Sequence, residues 1–317
     1  MNSRRLKIFF REYFNRLNYG PAGRIRQTHV RPEDFVYTVS RRDRVWINVL
    51  LFAATFITTT LAQSQTSGSI TQIFLSGLAY SCTLMAILSA HEFGHYFAAR
   101  SFGVNATLPF FIPFPFDSPV GTLGAVIKTR SPIPHRRALF YIGAMGPLPG
   151  FVVSLAAVIT GIYLSEVQPL PPAGEGVFLS YGESWLFSFI VQQIHGGIAP
   201  GSDLFLHPVG FAGWIGFLLT ALNLMPVGQL DGGHILYSLI GEKQRYAGWA
   251  FLCALVILSF YWPGWIVWVI IILLLVMVGH PYIHGPGEEL STAEKITGWA
   301  CMIIMVLTFV PVPVTLV

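Results

Sequence analysis

"SAHEFGHYFAAR", residues 89–100, closes an apolar run that begins near position 71, and it sets His91, Glu92 and His95 where that run implies lipid. Ionisable groups at membrane depth are costly, and they mark functional sites with a nameable partner. On a helix, His91 and His95 lie one turn apart, so their imidazoles can hold one metal ion, while Glu92 can reach a water bound to it. Two rival readings compete at this point: a polar patch facing a water-filled cavity, and a proton relay in a transporter.

The rest of the chain agrees with a bilayer. Of 317 residues, 53% are hydrophobic and 11% charged, with a mean hydropathy of +0.60, against about 25% charged in a soluble domain. About 20 helical residues cross a hydrocarbon core. Spans are expected near 46–62, 71–99, 138–165, 206–226 and 297–314. The further apolar stretch 246–279 is interrupted by Pro263 and Gly264 in "YWPGW" and reads as two short helices joined by a turn, with one kinked helix as the alternative. The expected fold is an all-α polytopic membrane protein of six to seven transmembrane helices, with a small membrane-associated β region between the second and third. Residues 1–44 form a basic interfacial segment, and 45–317 a transmembrane domain with its core at 71–245. Cys82, Cys253 and Cys301 show no paired spacing and read as packing residues.

Charge orders the loops. Eleven of the 19 Lys and Arg residues fall within 1–44, and most others lie at 100–137 and 242–245. The positive-inside rule places these regions on the cytoplasmic side, and the uncharged 63–70 and acidic 166–205 opposite. The second and fourth spans then run in parallel and end in one leaflet. The stretch 5–17, "RLKIFFREYFNRL", reads as an interfacial helix on anionic lipid, with a transit peptide as its rival. No apolar core of a cleavable signal peptide appears in the first 44 residues. These features give a multi-pass protein with its N-terminus and active site toward the cytoplasm; a prokaryotic cytoplasmic membrane is the expected location, as the natural one for a prokaryotic source.

A catalytic zinc site takes three protein ligands and leaves one position open. Topology restricts the third donor to the leaflet of His91 and His95, and there "NLMPVGQLDGGH" (223–234) brings Asp231 to the end of the fourth span. In isolation Asp231 reads first as a turn residue capping the helix that follows, ahead of a ligand; two motifs delivered to one depth by parallel spans change that order.

HEFGH at 91–95 together with NxxPxxxLDGG at 223–233 resembles the site-2 protease family, peptidase family M50. The likeness extends through 121–150 and 207–234. It is to the compact branch, which includes related chloroplast proteases, because 166–205 is too short for the PDZ domain of some members. The resemblance implies an intramembrane zinc metalloprotease holding one Zn2+ per chain on His91, His95 and Asp231. It implies that Glu92 is the general base and that Asn223 holds or polarises substrate. The implied partners are a transmembrane protein substrate and the lipid bilayer; low charge outside the basic tail gives no sign of nucleic-acid binding, and no oligomeric state is indicated. The alternative is a membrane transporter or metal-handling protein with an intramembrane His/Asp site, which predicts repeated halves.

A helical substrate must unwind to expose a scissile carbonyl. Residues 121–130, "GTLGAVIKTR", read as a strand whose free edge, at Gly124, Ala125 and Val126, takes up an extended substrate; a re-entrant plug is the rival reading. Gly146, Gly150, Gly210, Gly213 and Gly216 are assigned to helix packing alone. His234 reads as a supporting or structural residue, and the other histidines (29, 135, 195, 207, 280 and 284) as solvated or interfacial.

Overall fold

The computed structural model describes residues 44–64, 69–114, 118–170, 179–278 and 289–316. The interfacial helix expected at 5–17, and His29, His280 and His284, lie outside the described residues. From Arg44 onward the chain forms one unit.

Helix α1 (Val45–Ala62) is followed by the long α2 (Ile70–Ser101), which opens on a capping box between Ser69 and Gln72. A hairpin of β1 (Phe110–Pro113) and β2 (Thr122–Val126) comes next, then α3 (Arg136–Ala144) and α4 (Pro147–Tyr163). The second half of the chain holds β3 (Glu166–Pro169), β4 (Leu179–Tyr181), α5 (Trp185–His195), β5 (Ser202–Phe205) and α6 (Pro208–Asn223). It continues with α7 (Asp231–Ile240), α8 (Gln244–Leu258), α9 (Gly264–Val278), α10 (Thr292–Thr308) and β6 (Val314–Leu316). Among the described residues, three helices are long and apolar enough to cross a membrane: Val45–Ala62, Phe74–Ser101 and Arg136–Tyr163. Pro208–Asn223 and Gly264–Leu274 are apolar but shorter.

The core is a sandwich of α2, α4 and α6. Tyr80 stacks on Phe211 at 5.8 Å, and His91 meets Asn223 further along the same two helices, so α2 and α6 run parallel. Helix α4 runs antiparallel to α6: Gly161 lies on Gly210, Val158 on Gly213, and Ser154 on Gly216. At each of these glycines a Cβ would strike the facing helix, so the expected small-residue packing is what lets the backbones approach.

Helix α1 is inverted relative to a soluble helix. Asn48, Thr55, Thr59 and Thr60 face inward, while Trp46, Val49, Leu50 and Ile57 are exposed. The inward polar groups have work to do: Thr59 Oγ1 and Ser81 Oγ lie 2.6 Å apart across the α1–α2 contact, and Asn48 Nδ2 donates to the Pro109 carbonyl at 2.8 Å. Gln63 Nε2, just past the other end of α1, donates to the carbonyl of Pro119 at 2.6 Å. Fifteen helical residues separate those two side chains, about 22 Å of rise, so the hairpin extends along nearly the whole of α1. Tyr80 on α2 supports it as well, donating to the Val120 carbonyl at 2.9 Å. The β region expected between the second and third spans is therefore present.

Three expectations change. The chain is mostly helical but not all-α: besides β1–β2, antiparallel pairs β3–β5 and β4–β6 form in and around 166–205. Where a span is expected at 297–314, helix α10 begins earlier, at a capping box on Ser291 and Glu294, and ends at Thr308; it is not among the three helices long and apolar enough to cross. Pro311 and Pro313 stop the helix, and the tail turns back to pair Tyr181 with Val314. The span expected at 206–226 stops at Asn223, with Pro226 following. The stretch 246–279 does form two helices, α8 and α9, joined at 259–263; Trp265 Nε1 donates to the Pro311 carbonyl at 2.7 Å and its ring stacks on Phe309.

Candidate active site

His91, Glu92 and His95 lie in the last third of α2, all buried. The helical repeat turns both imidazoles toward α3 and α4, where glycines leave room for them. A Cβ at Gly146 would overlap the His95 ring, and one at Gly150 would stand 3.2 Å from the His91 Cβ. Asp231 is the first residue of α7. It is carried to this depth because the chain leaves helical geometry after Asn223 and restarts at Asp231. Gly232 and Gly233 fit that restart directly against the carbonyls of Leu224, Val227 and Gly228, which a Cβ at either position would meet.

The three side chains converge. His91 Nε2 and His95 Nε2 are 3.0 Å apart, and Asp231 Oδ2 lies 3.4 Å from the first and 3.3 Å from the second. Ligands at about 2.0–2.1 Å in tetrahedral array stand about 3.3–3.4 Å from one another, so this triangle has the size of one face of a zinc tetrahedron. The donor chemistry agrees. His95 Nδ1 lies 2.6 Å from the Ile142 carbonyl, which can only accept, so Nδ1 carries a proton and Nε2 is the atom turned to the centre. Two imidazole nitrogens and a carboxylate oxygen aimed at one point fit a divalent cation, and among the described residues this is the group able to hold one.

Glu92 is not a member of that triangle. Its carboxylate is within hydrogen-bonding reach of the backbone N–H of Ile127, the residue after β2, so the end of the strand lies beside the expected base. Asn223 Nδ2 lies 3.5 Å from His91 Nε2, flanking the triangle. On β2, Ala125 pairs with Phe111 and Val126 with Phe110. Gly124 adopts a φ of +93° with open space where a side chain would project. Among the described residues no strand pairs with the second edge of β2.

Other histidines have ordinary roles. His135 and His207 accept from the backbone N–H of Ala138 and Val209 at the starts of α3 and α6, and His195 lies 3.1 Å from the Ile162 carbonyl. The His234 Cβ packs where Gly143 has no side chain. Sequence reasoning missed the Ile142 carbonyl and the Ile127 N–H, which are backbone groups, and it missed that Gly146 and Gly150 make room for imidazoles as well as for helices. The position of "GAMGPLPG" one helix beyond the histidines is the signal that could have revealed the glycines.

A family model for Peptidase family M50 matches residues 79–260, more than half of the chain. The chain is 30% identical over 176 residues to probable zinc metalloprotease EGY2, chloroplastic, of Arabidopsis thaliana, covering 54% of this chain and 30% of that protein. It is 32% identical over 177 residues to EGY1 of Oryza sativa subsp. japonica (54% and 29% covered) and 28% identical over 238 residues to EGY1 of Arabidopsis (74% and 42%), both likewise named probable zinc metalloproteases, chloroplastic. The chain thus spans between 29% and 42% of the length of these relatives. No solved structure matches it. These relatives correct one expectation: a prokaryotic cytoplasmic membrane is not where they point, since all three are chloroplastic. The charge pattern failed there because it orders loops to one side or the other of a bilayer without specifying which membrane that is. With its paired motifs, the geometry they form and the family match over the same residues, the chain belongs to peptidase family M50.

Proposed function

We propose that this chain is an intramembrane zinc metalloprotease that hydrolyses a peptide bond in or near the transmembrane segment of a membrane-protein substrate. The observation that carries the reading is the meeting of His91, His95 and Asp231 at one point, with Glu92 buried beside them. Those three residues would hold one zinc ion per chain, which supplies Lewis acidity and makes a water acidic enough to ionise near neutral pH. The names of the relatives agree with zinc.

In this reading Glu92 takes a proton from the attacking water as its oxygen bonds to the scissile carbonyl carbon, and delivers that proton to the amine nitrogen as the C–N bond breaks. Asn223 offers its amide to the substrate backbone at the edge of the centre. Burial of His91, Glu92 and His95 keeps bulk water from them and strengthens each electrostatic contact. The edge of β2 at Gly124, Ala125 and Val126 offers the hydrogen bonds that an unwound substrate helix has given up, and it leads toward Glu92. Membership of a peptidase family weighs against the transporter alternative.

The experiment is cleavage of a labelled single-span protein by the purified, reconstituted chain. Cleavage that stops with a zinc chelator and returns with added zinc supports the proposal. Chelator-insensitive cleavage, or none in the zinc-loaded protein across a panel of single-span substrates, counts against it.

A further inference from the structure

We propose that Arg136 is a positioning residue for the third donor of the metal centre, acting on Asp231 through the length of α7. The proposal rests on reading His91, His95 and Asp231 as metal ligands.

Asp231 begins α7, and Ser238 lies two turns further on. The last four carbonyls of a helix have no partner within it. Arg136 meets one of them: its Nε donates to the Ser238 carbonyl at 2.7 Å, and Ser238 Oγ donates back to the Arg136 carbonyl at 3.3 Å. A guanidinium at the C-terminal end of α7 also faces the negative end of the helix dipole. The two residues are 102 positions apart in sequence, so this reciprocal pair is a tertiary tie between α3 and α7.

Arg136 is the first residue of α3, and the other end of the same helix touches both halves of the centre. Ile142 orients His95 through its carbonyl, and Gly143 lacks the Cβ that would press on the Asp231 carbonyl and the His234 Cβ, at 3.1 and 3.0 Å. One nine-residue helix therefore grips the histidine side of the centre at its end and the far end of the Asp231 helix at its start. Apolar packing around Phe140 and Ile235 adds to the α3–α7 contact, but it is not directional. A hydrogen bond restricts both distance and angle. Arg136 thus fixes the position of α7 along its axis, and with it the distance from the carboxylate to the imidazoles. Arg137 makes a useful contrast, because its Nε donates to Glu294 on α10 at 2.6 Å instead.

The test uses the full chain, purified in detergent, with zinc affinity measured by competition with a chromophoric chelator and ligand geometry read from the visible spectrum after Co2+ loading. Arg136→Ala should lower zinc affinity, by less than the about 10- to 100-fold typical of losing a group bonded directly to a metal ligand, and should alter the Co2+ bands. Ser238→Ala, a smaller change that leaves the Arg136 guanidinium in place, should move both readouts the same way to a lesser degree. Arg137→Ala should leave both at wild-type values. Wild-type zinc affinity and Co2+ spectrum in Arg136→Ala and Ser238→Ala would overturn the proposal, as would an equal loss of zinc in Arg137→Ala. A wild-type protein that binds no zinc would instead overturn the reading of the metal centre itself.

Discussion

Gly146 lies directly against the imidazole of His95, so close that a Cβ there would overlap Nε2, Cε1 and Cδ2 of the ring. The glycine is at the break between α3 and α4, and the atom it lacks would occupy the place of a proposed ligand. Gly146→Ala should therefore displace His95, cost about 1–3 kcal/mol from overpacking, and abolish high-affinity zinc binding. Gly150→Ala is the milder neighbour. Its Cβ would stand 3.3 Å from His91 Nδ1, a distance that a small ring shift can accommodate, so that variant should fold and bind zinc less tightly. Thermal melts and chelator competition on the two proteins check the ranking.

Glu92→Gln keeps the shape of the side chain and removes its basicity. Zinc content measured by mass spectrometry should match wild type, while cleavage of a single-span substrate should fall by at least the factor of about 10² that a general base supplies. Cleavage near the wild-type rate would remove Glu92 from its proposed role.

Asp231→Asn also preserves shape but loses the charge that faces both imidazoles. Zinc affinity should fall by more than the about 10- to 100-fold expected for an outer partner, and a stoichiometric zinc content in this variant would contradict the proposed ligand set.

Ala125→Pro deletes a backbone N–H in the middle of β2 while leaving the triangle of donors in place. If substrate pairs with the strand, cleavage should be lost with zinc content unchanged; unaltered cleavage would favour a hairpin that only fills space.

Glu294 gives a pH dependence that is independent of the metal. Burial pushes its carboxyl up, but hydrogen bonds from the Ser291 N–H, the Arg137 guanidinium and Tyr141 outweigh that and hold it at about 2, below its ordinary value of 4.5. A depressed folded-state value means stability that is present above about pH 4.5 and lost as pH falls toward about 2. Melting temperature should decline across that window, and the decline should flatten in Glu294→Gln.

The sequence revealed most where the chemistry was local. His91 and His95 are visible because one turn of helix brings them together, and the α8–α9 turn is visible because Pro263 and Gly264 interrupt an overlong apolar run. Asp231 became legible once two expected spans were read as ending on one side. What stayed hidden depends on distant partners or on the backbone. Strand β6 pairs with β4 across more than a hundred residues, and its own composition, "VTL", does not name that partner. The tie from Arg136 to Ser238 ends on a carbonyl, which every residue has. Which membrane is meant stayed hidden because every bilayer sets the same hydropathy requirement.

The proposed donors do not leave the ribosome together. The two imidazoles are made early, on α2, whereas the carboxylate arrives only after α6 has been synthesised and its end has come to lie beside them. A nascent chain thus carries an incomplete set of proposed donors until its second half has been made and has joined the first.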